Sequence, residues 1–255
     1  MKKIITFILI FIVISSCKDE SDCCVNPSVN VVLKFTHNWD GTNINSSDFN
    51  NFKFTTKNGE SISINRLRYL ISNIKLINGN EVYTFSDYIL IDLGEEKGLS
   101  LVLPQNIFPG SYQLKFTFGF EDNDNKNGVY QDLNSENFNI PEMLGGGYHF
   151  MQFDGKFKDT NNQDANFNYH VIRAVDKTDP NNLKFEDTSF EVDLGTISLL
   201  KNSDITIKSD ISEWFKNPNI WNLNELNTVL MPNFEAQKMM SANGKTVFSL
   251  GDISQ

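Results

Sequence analysis

Histidine and cysteine, two common transition-metal ligands, are both scarce in this chain of 255 residues. The histidines are His37, His149 and His170, and the cysteines are Cys17, Cys23 and Cys24. Every cysteine lies near the N-terminus, so none is expected inside a folded domain as a nucleophile. Cys23 and Cys24 are adjacent, and without a second pair they cannot build a zinc site. Free thiols or a bridge to another chain are as compatible with this spacing as a strained vicinal disulfide.

Basic residues are outnumbered, with 22 Lys and Arg against 32 Asp and Glu. A chain this acidic repels polyphosphates, so we expect no nucleic-acid partner. Familiar catalytic motifs are also missing, including the Gly-x-Ser-x-Gly elbow, the His-Glu-x-x-His helix and the phosphate loop. Carboxylate pairs are abundant, but nothing selects one pair for glycosidase chemistry. We therefore predict no catalytic residues, and an enzyme is the weaker functional class.

The N-terminus has the pattern of a bacterial lipoprotein signal peptide. Lys2 and Lys3 precede an apolar run over 4–14, and Ser15-Ser16-Cys17 follows. The run is too short to span a bilayer as a helix. Ile-Ser-Ser before Cys17 resembles a lipobox, which implies cleavage after residue 16 and lipidation of Cys17. We predict a signal peptide over 1–16 and a flexible tether over 17–28, so that the mature chain is anchored and not spanning.

The residues after Cys17 carry information about the destination. Lys18-Asp19-Glu20 resembles a signal that sends some Gram-negative lipoproteins to the outer face of the outer membrane. We therefore predict an outer membrane lipoprotein, with the cell surface favoured over the periplasmic face. The alternative interpretation of this segment is a solvated polar tether.

Loss of Lys2 and Lys3 with the signal peptide changes the net charge from -10 to about -12.

Aromatic and β-branched residues point to strands in the rest of the chain. There are 21 phenylalanines and 7 tyrosines, with many valines and isoleucines. Short strands at regular intervals, with hairpin signals at Asn58-Gly59 and Asn78-Gly79, predict an antiparallel β-sandwich. A few short helices are expected, mostly in the C-terminal part, over 209–215 and 233–242. The predicted strands cover 29–39, 52–56, 61–64, 69–76, 82–84, 88–93, 100–103, 111–119, 148–157, 167–174, 183–197 (as two strands) and 246–250. One domain over 29–255 accounts for this pattern.

The segment Gly145-Gly146-Gly147-Tyr148-His149-Phe150-Met151 combines backbone freedom with metal-binding side chains. In a strand, His149 and Met151 would point to one face, so that a nitrogen and a soft sulfur lie side by side. Such a pair can form one corner of a transition-metal site. The alternative is a hydrogen-bonded histidine beside a core methionine. For His170, the alternating pattern by itself favours a hydrogen-bonded strand histidine.

The loop over 121–128 is rich in oxygen ligands, but its register does not match a calcium loop. Reading from Asn123, the charged first ligand and the glutamate at the twelfth place are missing. Reading from Asp122, Lys126 occupies a ligand position. We therefore predict a solvated turn and no calcium site.

Several motifs follow one another along nearly the whole mature chain. They are RLRYLISNI at 66–74, FGF at 118–120, GGGYHFM at 145–151, YH at 169–170, MMSAN at 239–243 and TVF at 246–248. Together they resemble the MbnP-like family of periplasmic and surface copper-binding proteins, from about residue 29 to 249. The resemblance implies a β-sandwich-like fold and a mononuclear copper site. In characterised relatives, that site includes histidines and a tryptophan oxidised to kynurenine.

Carried onto this sequence, the resemblance implies that His37, His149 and His170 are the metal ligands. Trp39 is the candidate for oxidation to kynurenine, because it is the only tryptophan near one of these histidines in sequence. Met151 is a further candidate ligand, and a thioether would favour Cu(I). The resemblance also implies a partner for the oxidation, a diheme cytochrome c peroxidase of the MauG type.

Two functional hypotheses follow from the sequence. The first is a copper-binding surface lipoprotein that scavenges or handles copper. The second is a metal-free surface module that binds a glycan, a peptide or a neighbouring protein. In the second case the three histidines would be dispersed through the fold.

Overall fold

Two β-sheets face each other across a core rich in aromatic side chains. The structure, a computed structural model, describes residues 28–103, 106–179 and 181–255, apart from the side chains of residues 86 and 87. The predictions for the signal peptide, for Cys17 and for Cys23 and Cys24 lie outside the described residues. The strands are β1 (Val31–Trp39), β2 (Thr42–Asn43), β3 (Phe54–Thr55), β4 (Ser61–Asn78), β5 (Glu81–Asp92), β6 (Ser100–Val102), β7 (Gly110–Phe118), β8 (Met151–Lys158), β9 (Asp164–Val171), β10 (Ala174–Asp176), β11 (Lys184–Glu186), β12 (Phe190–Leu199), β13 (Ser203–Asp210) and β14 (Phe248–Ser254).

The larger sheet has seven strands in the order β12-β7-β4-β8-β9, with β3 and β5 also paired to β4. The smaller sheet has five strands in the order β14-β13-β1-β2, with β6 also paired to β1. Every strand pair is antiparallel except β1 with β13, among the residues that the structure describes. The short strands β10 and β11 form a separate ribbon.

The inner faces of the two sheets pack through aromatic rings. Tyr69 of β4 lies 5.8 Å from Phe248 of β14, and Phe116 of β7 lies 5.3 Å from the same ring, measured between ring centroids. Alternating burial along β1 and β7 directs one row of side chains into this core. The predicted antiparallel β-sandwich is confirmed.

β4 is the strand around which the larger sheet is built. The sequence predicts two strands here, over 61–64 and 69–76, but the structure has one strand of 18 residues. Pairing continues through Arg66, Leu67 and Arg68, which face Asp154, Phe153 and Gln152 of β8. The two arginines interrupt the apolar pattern because they lie on the outer face, while Leu67 is fully buried on the inner face.

The described fold also has two short α-helices, α1 (Gln131–Ser135) and α2 (Phe234–Gly244), and three 3-10 helices over Ser46–Asp48, Glu142–Leu144 and Ile211–Phe215. Asn233 is the N-cap of α2, because its side chain accepts a hydrogen bond from the amide of Ala236. Gly244 lies inside the helix and does not cap it, and a Cβ there would lie 2.6 Å from both Phe190 and Trp214. Among the described residues, no helix has the length and apolar character needed to cross a membrane.

Candidate metal centre

The outer face of the larger sheet carries a row of polar side chains across three neighbouring strands. In register, Arg68 of β4 faces Gln152 of β8, and Gln152 faces His170 of β9. Paired residues in a sheet project to the same face. Gln152, Asp154 and His170 therefore share the outer face, whereas Met151 and Phe153 point into the core.

The triple glycine delivers His149 to this outer face. Gly145, Gly146 and Gly147 all adopt positive φ, at 92°, 63° and 82°. The predicted strand over 148–157 therefore begins only at Met151. Before it, the amide of Tyr148 donates to the Asn125 side chain at 2.8 Å. The expectation that His149 and Met151 share a face is wrong, because the regular alternation of a strand does not extend back to residue 149.

His149 and His170 meet edge to face. Their ring centroids are 5.2 Å apart and their planes cross at 85°. The Nδ1 atom of His149 lies 2.9 Å from the backbone carbonyl oxygen of Phe138. A carbonyl only accepts, so Nδ1 carries the hydrogen and Nε2 presents a lone pair. This Nε2 atom is buried and has no hydrogen-bond partner in the part of the chain that the structure describes.

Burial sets the charge state of His149. It lowers the pKa of the imidazole from 6.5 to about 4, against a smaller opposing effect of the Phe138 carbonyl. The ring is therefore neutral at pH 7. A neutral imidazole that donates its other nitrogen to a backbone carbonyl is the form in which histidine binds metals.

The second imidazole is held by a carboxylate. His170 Nε2 lies 2.8 Å from Oδ1 of Asp154, and Asp154 also accepts from Arg66 and Asn168 at 2.5 Å each. Burial alone would raise the pKa of Asp154, but the hydrogen bond and charge of His170, with Asn168 and Arg66, hold it well below its usual value. An ionised carboxylate only accepts, so Nε2 of His170 carries a hydrogen, and in a neutral ring the lone pair lies on Nδ1.

Gln152 connects Arg68 to the covering segment 136–138 beside the two histidines. Its Oε1 accepts from Arg68 at 2.8 Å, and its Nε2 donates to the carbonyl of Asn137 at 3.3 Å. The same Nε2 lies 3.3 Å from Nδ1 of His149. Because Nδ1 already carries a hydrogen for Phe138, this approach is a packing contact and not a hydrogen bond.

The comparisons with known proteins agree on one family. The MbnP family profile matches residues 28–232. The chain belongs to the MbnP family. Among solved structures, MbnP from Methylosinus trichosporium has a TM-score of 0.51 at 12% sequence identity, covering 76% of this chain and 79% of that chain. Curated proteins give no match. Membership in the MbnP family suggests a copper-related function.

His37 lies on the other side of the larger sheet in this MbnP-family fold. It belongs to β1 of the smaller sheet, where it is buried on the inner face, and its Nε2 lies 2.9 Å from the hydroxyl of Tyr69. Tyr69 projects into the core from β4. The backbone of the larger sheet therefore separates His37 from His149 and His170. With metal–nitrogen bonds near 2 Å, one ion cannot contact all three predicted ligands.

Neither Trp39 nor Met151 lies beside the histidine pair. Trp39 stacks on Phe54 and Phe215, and its indole nitrogen donates to the carbonyl of Thr55 at 3.0 Å. Met151 is fully buried and pairs in register with Tyr69 and Val171 on the inner face. The thioether therefore faces the core and away from the imidazoles.

As a metal site, the His149–His170 pair offers few ligands. No group of three or more His, Cys, Asp or Glu side chains is arranged to hold a metal ion within the described ranges. Two imidazole nitrogens remain, one of them buried with its lone pair unused. The sequence nominates His149 and His170, but it does not identify Asp154, Gln152 or the Phe138 carbonyl. Their roles depend on strand register and on a covering segment that carries no motif.

Proposed function

We propose that this protein is a copper-handling surface lipoprotein in which His149 and His170 bind a single copper ion. The observation that carries the proposal is the buried, unpartnered Nε2 of His149 beside the ring of His170. Imidazole nitrogens suit both Cu(I) and Cu(II). Family membership supplies the expectation that the metal is copper.

The surrounding residues would prepare both imidazoles for the ion. Phe138 and Asp154 accept the ring hydrogens, which fixes the tautomers and leaves a lone pair on the opposite nitrogen of each ring. Arg68 and Gln152 hold the covering segment in place. A site with only two protein ligands leaves coordination positions open, which suits a protein that receives and passes on its metal.

The anchoring and the location belong to the same proposal. Cys17 carries the lipid, the mature chain lies on the outer membrane, and the cell surface is its favoured face. Mass spectrometry of the mature N-terminus tests the lipidation, and protease accessibility on intact cells tests the surface exposure. A periplasmic location would leave the protein uncut until the outer membrane is opened.

Oxidation of Trp39 to kynurenine by a diheme peroxidase is a separate part of the proposal. Trp39 shares the inner face of β1 with His37, so the product would lie on the His37 side of the larger sheet and not at the His149–His170 pair. Intact-protein mass from the native host tests it. Relative to tryptophan, kynurenine has one more oxygen and one fewer carbon, because two oxygens are added and the formyl carbon then leaves with one oxygen; an unmodified mass rejects this step.

Copper content measured by ICP-MS on purified protein tests the metal site. We expect one copper per chain in the wild type, the same content in His37→Ala, and loss of copper in His149→Ala and His170→Ala. His37→Ala is the matched control, because it removes a buried histidine outside the pair. Wild type with no more copper than His149→Ala, or His37→Ala with equal loss, would contradict the proposal.

A metal-free surface module is the second candidate. The observation in its favour is that the described residues contain no cluster of three or more metal-ligating side chains. Its histidines would serve structure, as His37 does with Tyr69. The same copper measurement separates the two functions, because a metal-free module would have no copper in wild type or in any variant.

A further inference from the structure

The chain enters the fold at one end of the smaller sheet. Val29 forms a bridge with Ile107, and the amide of Asn30 donates to the side chain of Asn202 at 2.9 Å. In the larger sheet, Leu199 pairs with Gly110 at the same end. Residues 106–110 and 199–203 therefore lie near the point at which residue 28 joins the domain.

Large apolar side chains are exposed at this end. Val102 is 68% exposed, Phe108 46% and Leu200 66%. A cleft of about 470 Å³ at this end is lined by Val29, Pro109 and Leu200. Single exposed apolar residues are ordinary on protein surfaces, but several at one end of a domain mark a surface that contacts something apolar.

The length of the preceding chain limits how far this surface can lie from a lipid on Cys17. Cys17 is 11 residues before Ser28. Even a fully extended chain of this length reaches only about 40 Å. A lipid on Cys17 therefore keeps the bilayer within that distance of this end. Electrostatic attraction to anionic lipid is not expected for an acidic protein, so the contact would depend on apolar side chains.

We propose that Val102, Phe108 and Leu200 form a lipid-contacting face that rests on the membrane carrying the Cys17 anchor. The inference relies on the proposed lipidation of Cys17 and is independent of copper. Membrane contact adds shallow insertion of apolar side chains to the covalent anchor, so the domain has a preferred orientation instead of tumbling on its tether.

This orientation places the histidine pair away from the lipid. On β4, Ile77 faces Gln113 of β7 near the lipid-contacting face, and Arg68 faces Gln152 beside the histidines. The nine residue steps from Arg68 to Ile77 span about 30 Å of strand. His149 and His170 would therefore be presented toward the medium, where a soluble copper carrier could reach them.

Site-specific fluorescence on the full lipidated chain tests the contact. In a Cys23→Ser and Cys24→Ser background, Phe108→Cys and Leu200→Cys are labelled with NBD, and the protein is reconstituted into phosphatidylethanolamine vesicles. Ile220→Cys is the matched control, because Ile220 is 56% exposed but lies near α2, where Asn219 donates to Asn243. We expect blue-shifted NBD emission, quenched by spin-labelled lipid, at positions 108 and 200 only.

Vesicle flotation separates the possible outcomes. Protein that floats but has water-like emission at positions 108 and 200 overturns the lipid-contacting face while leaving the anchor intact. Blue-shifted emission without quenching by the lipid spin label indicates a protein contact and also overturns it. Protein that does not float lacks the anchor, and the lipid-contacting face is rejected with it. Copper content, measured on the same samples, reports on the metal site independently.

Discussion

Gly147 and Asn125 approach so closely that a Cβ on Gly147 would lie 2.5 Å from Oδ1 of the asparagine. That oxygen accepts the hydrogen bond from the amide of Tyr148, the residue before His149. The backbone at Gly147 therefore fixes the position of His149, both through its positive φ of 82° and through this contact.

Replacing Gly147 tests this arrangement. We expect Gly147→Ala to destabilise the protein by about 1–3 kcal/mol more than Gly195→Ala, because overpacking adds to the strain of positive φ. Gly195 is a matched control, since its φ is 79° and a Cβ there would meet nothing within 4 Å. Urea unfolding followed by tryptophan fluorescence gives the difference. Equal destabilisation in the two variants would show that the Asn125 side chain moves aside without loss of stability.

The stability of the metal-free protein should depend on pH through its buried histidines. Burial lowers the pKa of both His37 and His149 from 6.5 to about 4. Between these values the unfolded chain binds more protons than the folded one, so the free energy of unfolding falls as the pH decreases from about 6.5 to about 4. Each histidine contributes roughly 3 kcal/mol to this loss.

His149→Gln isolates one of these contributions. Glutamine does not titrate in this range and can still donate to the Phe138 carbonyl. We expect urea unfolding between pH 7.5 and 4.5, with chelator present, to give a shallower dependence on pH in His149→Gln than in wild type. An unchanged slope would mean that His149 takes up protons equally in the folded and unfolded chains.

Asp154 should act on copper through His170. Asp154→Ala removes the acceptor that fixes the His170 ring, and the loss of such a partner lowers metal affinity by roughly 10–100-fold. Asp164→Ala is the control, because Asp164 lies on the same hairpin but pairs with Lys158. Competition with a Cu(I) chelator measures both affinities. Identical affinities would remove Asp154 from the site.

Tyr69 should matter for stability and not for copper. Tyr69→Phe leaves Nε2 of the buried His37 without its partner, which costs about 1–3 kcal/mol. Tyr83→Phe loses only an exposed hydrogen bond to Glu81 and should stay within about 0.5 kcal/mol of wild type. Thermal unfolding and copper content are measured on the same preparations. Copper loss in Tyr69→Phe would place His37 at the metal after all.

The sandwich could be predicted from sequence because alternation is visible in strands such as β1 and β7. β13 was missed, since Ser203 and Ser209 are buried and its inner row is not consistently apolar. The two short predicted strands are one strand, β4, because Arg66 and Arg68 donate hydrogen bonds to Asp154 and Gln152 on the neighbouring strand. These partners are far from the arginines in sequence.

The candidate site could be predicted only in part. The family resemblance nominated His149 and His170, and the scarcity of histidine left few alternatives to them. It could not exclude His37, because the sequence does not say which sheet a strand joins or which face of the other sheet it meets. Contrary to the prediction from sequence, His149 and Met151 do not share a face, because the positive φ values of the glycines interrupt the alternation of side chains along the strand.

The parallel pairing of β1 with β13 also constrains the order of assembly. The two strands come together across a separation of 172 residues, as between Asn30 and Asn202. The hairpin of β4 and β5 needs only a short turn. The seven-stranded sheet can therefore begin to form early, whereas β1 cannot pair with β13 until nearly the whole chain is available. Closure of the smaller sheet is therefore the expected slow step of folding.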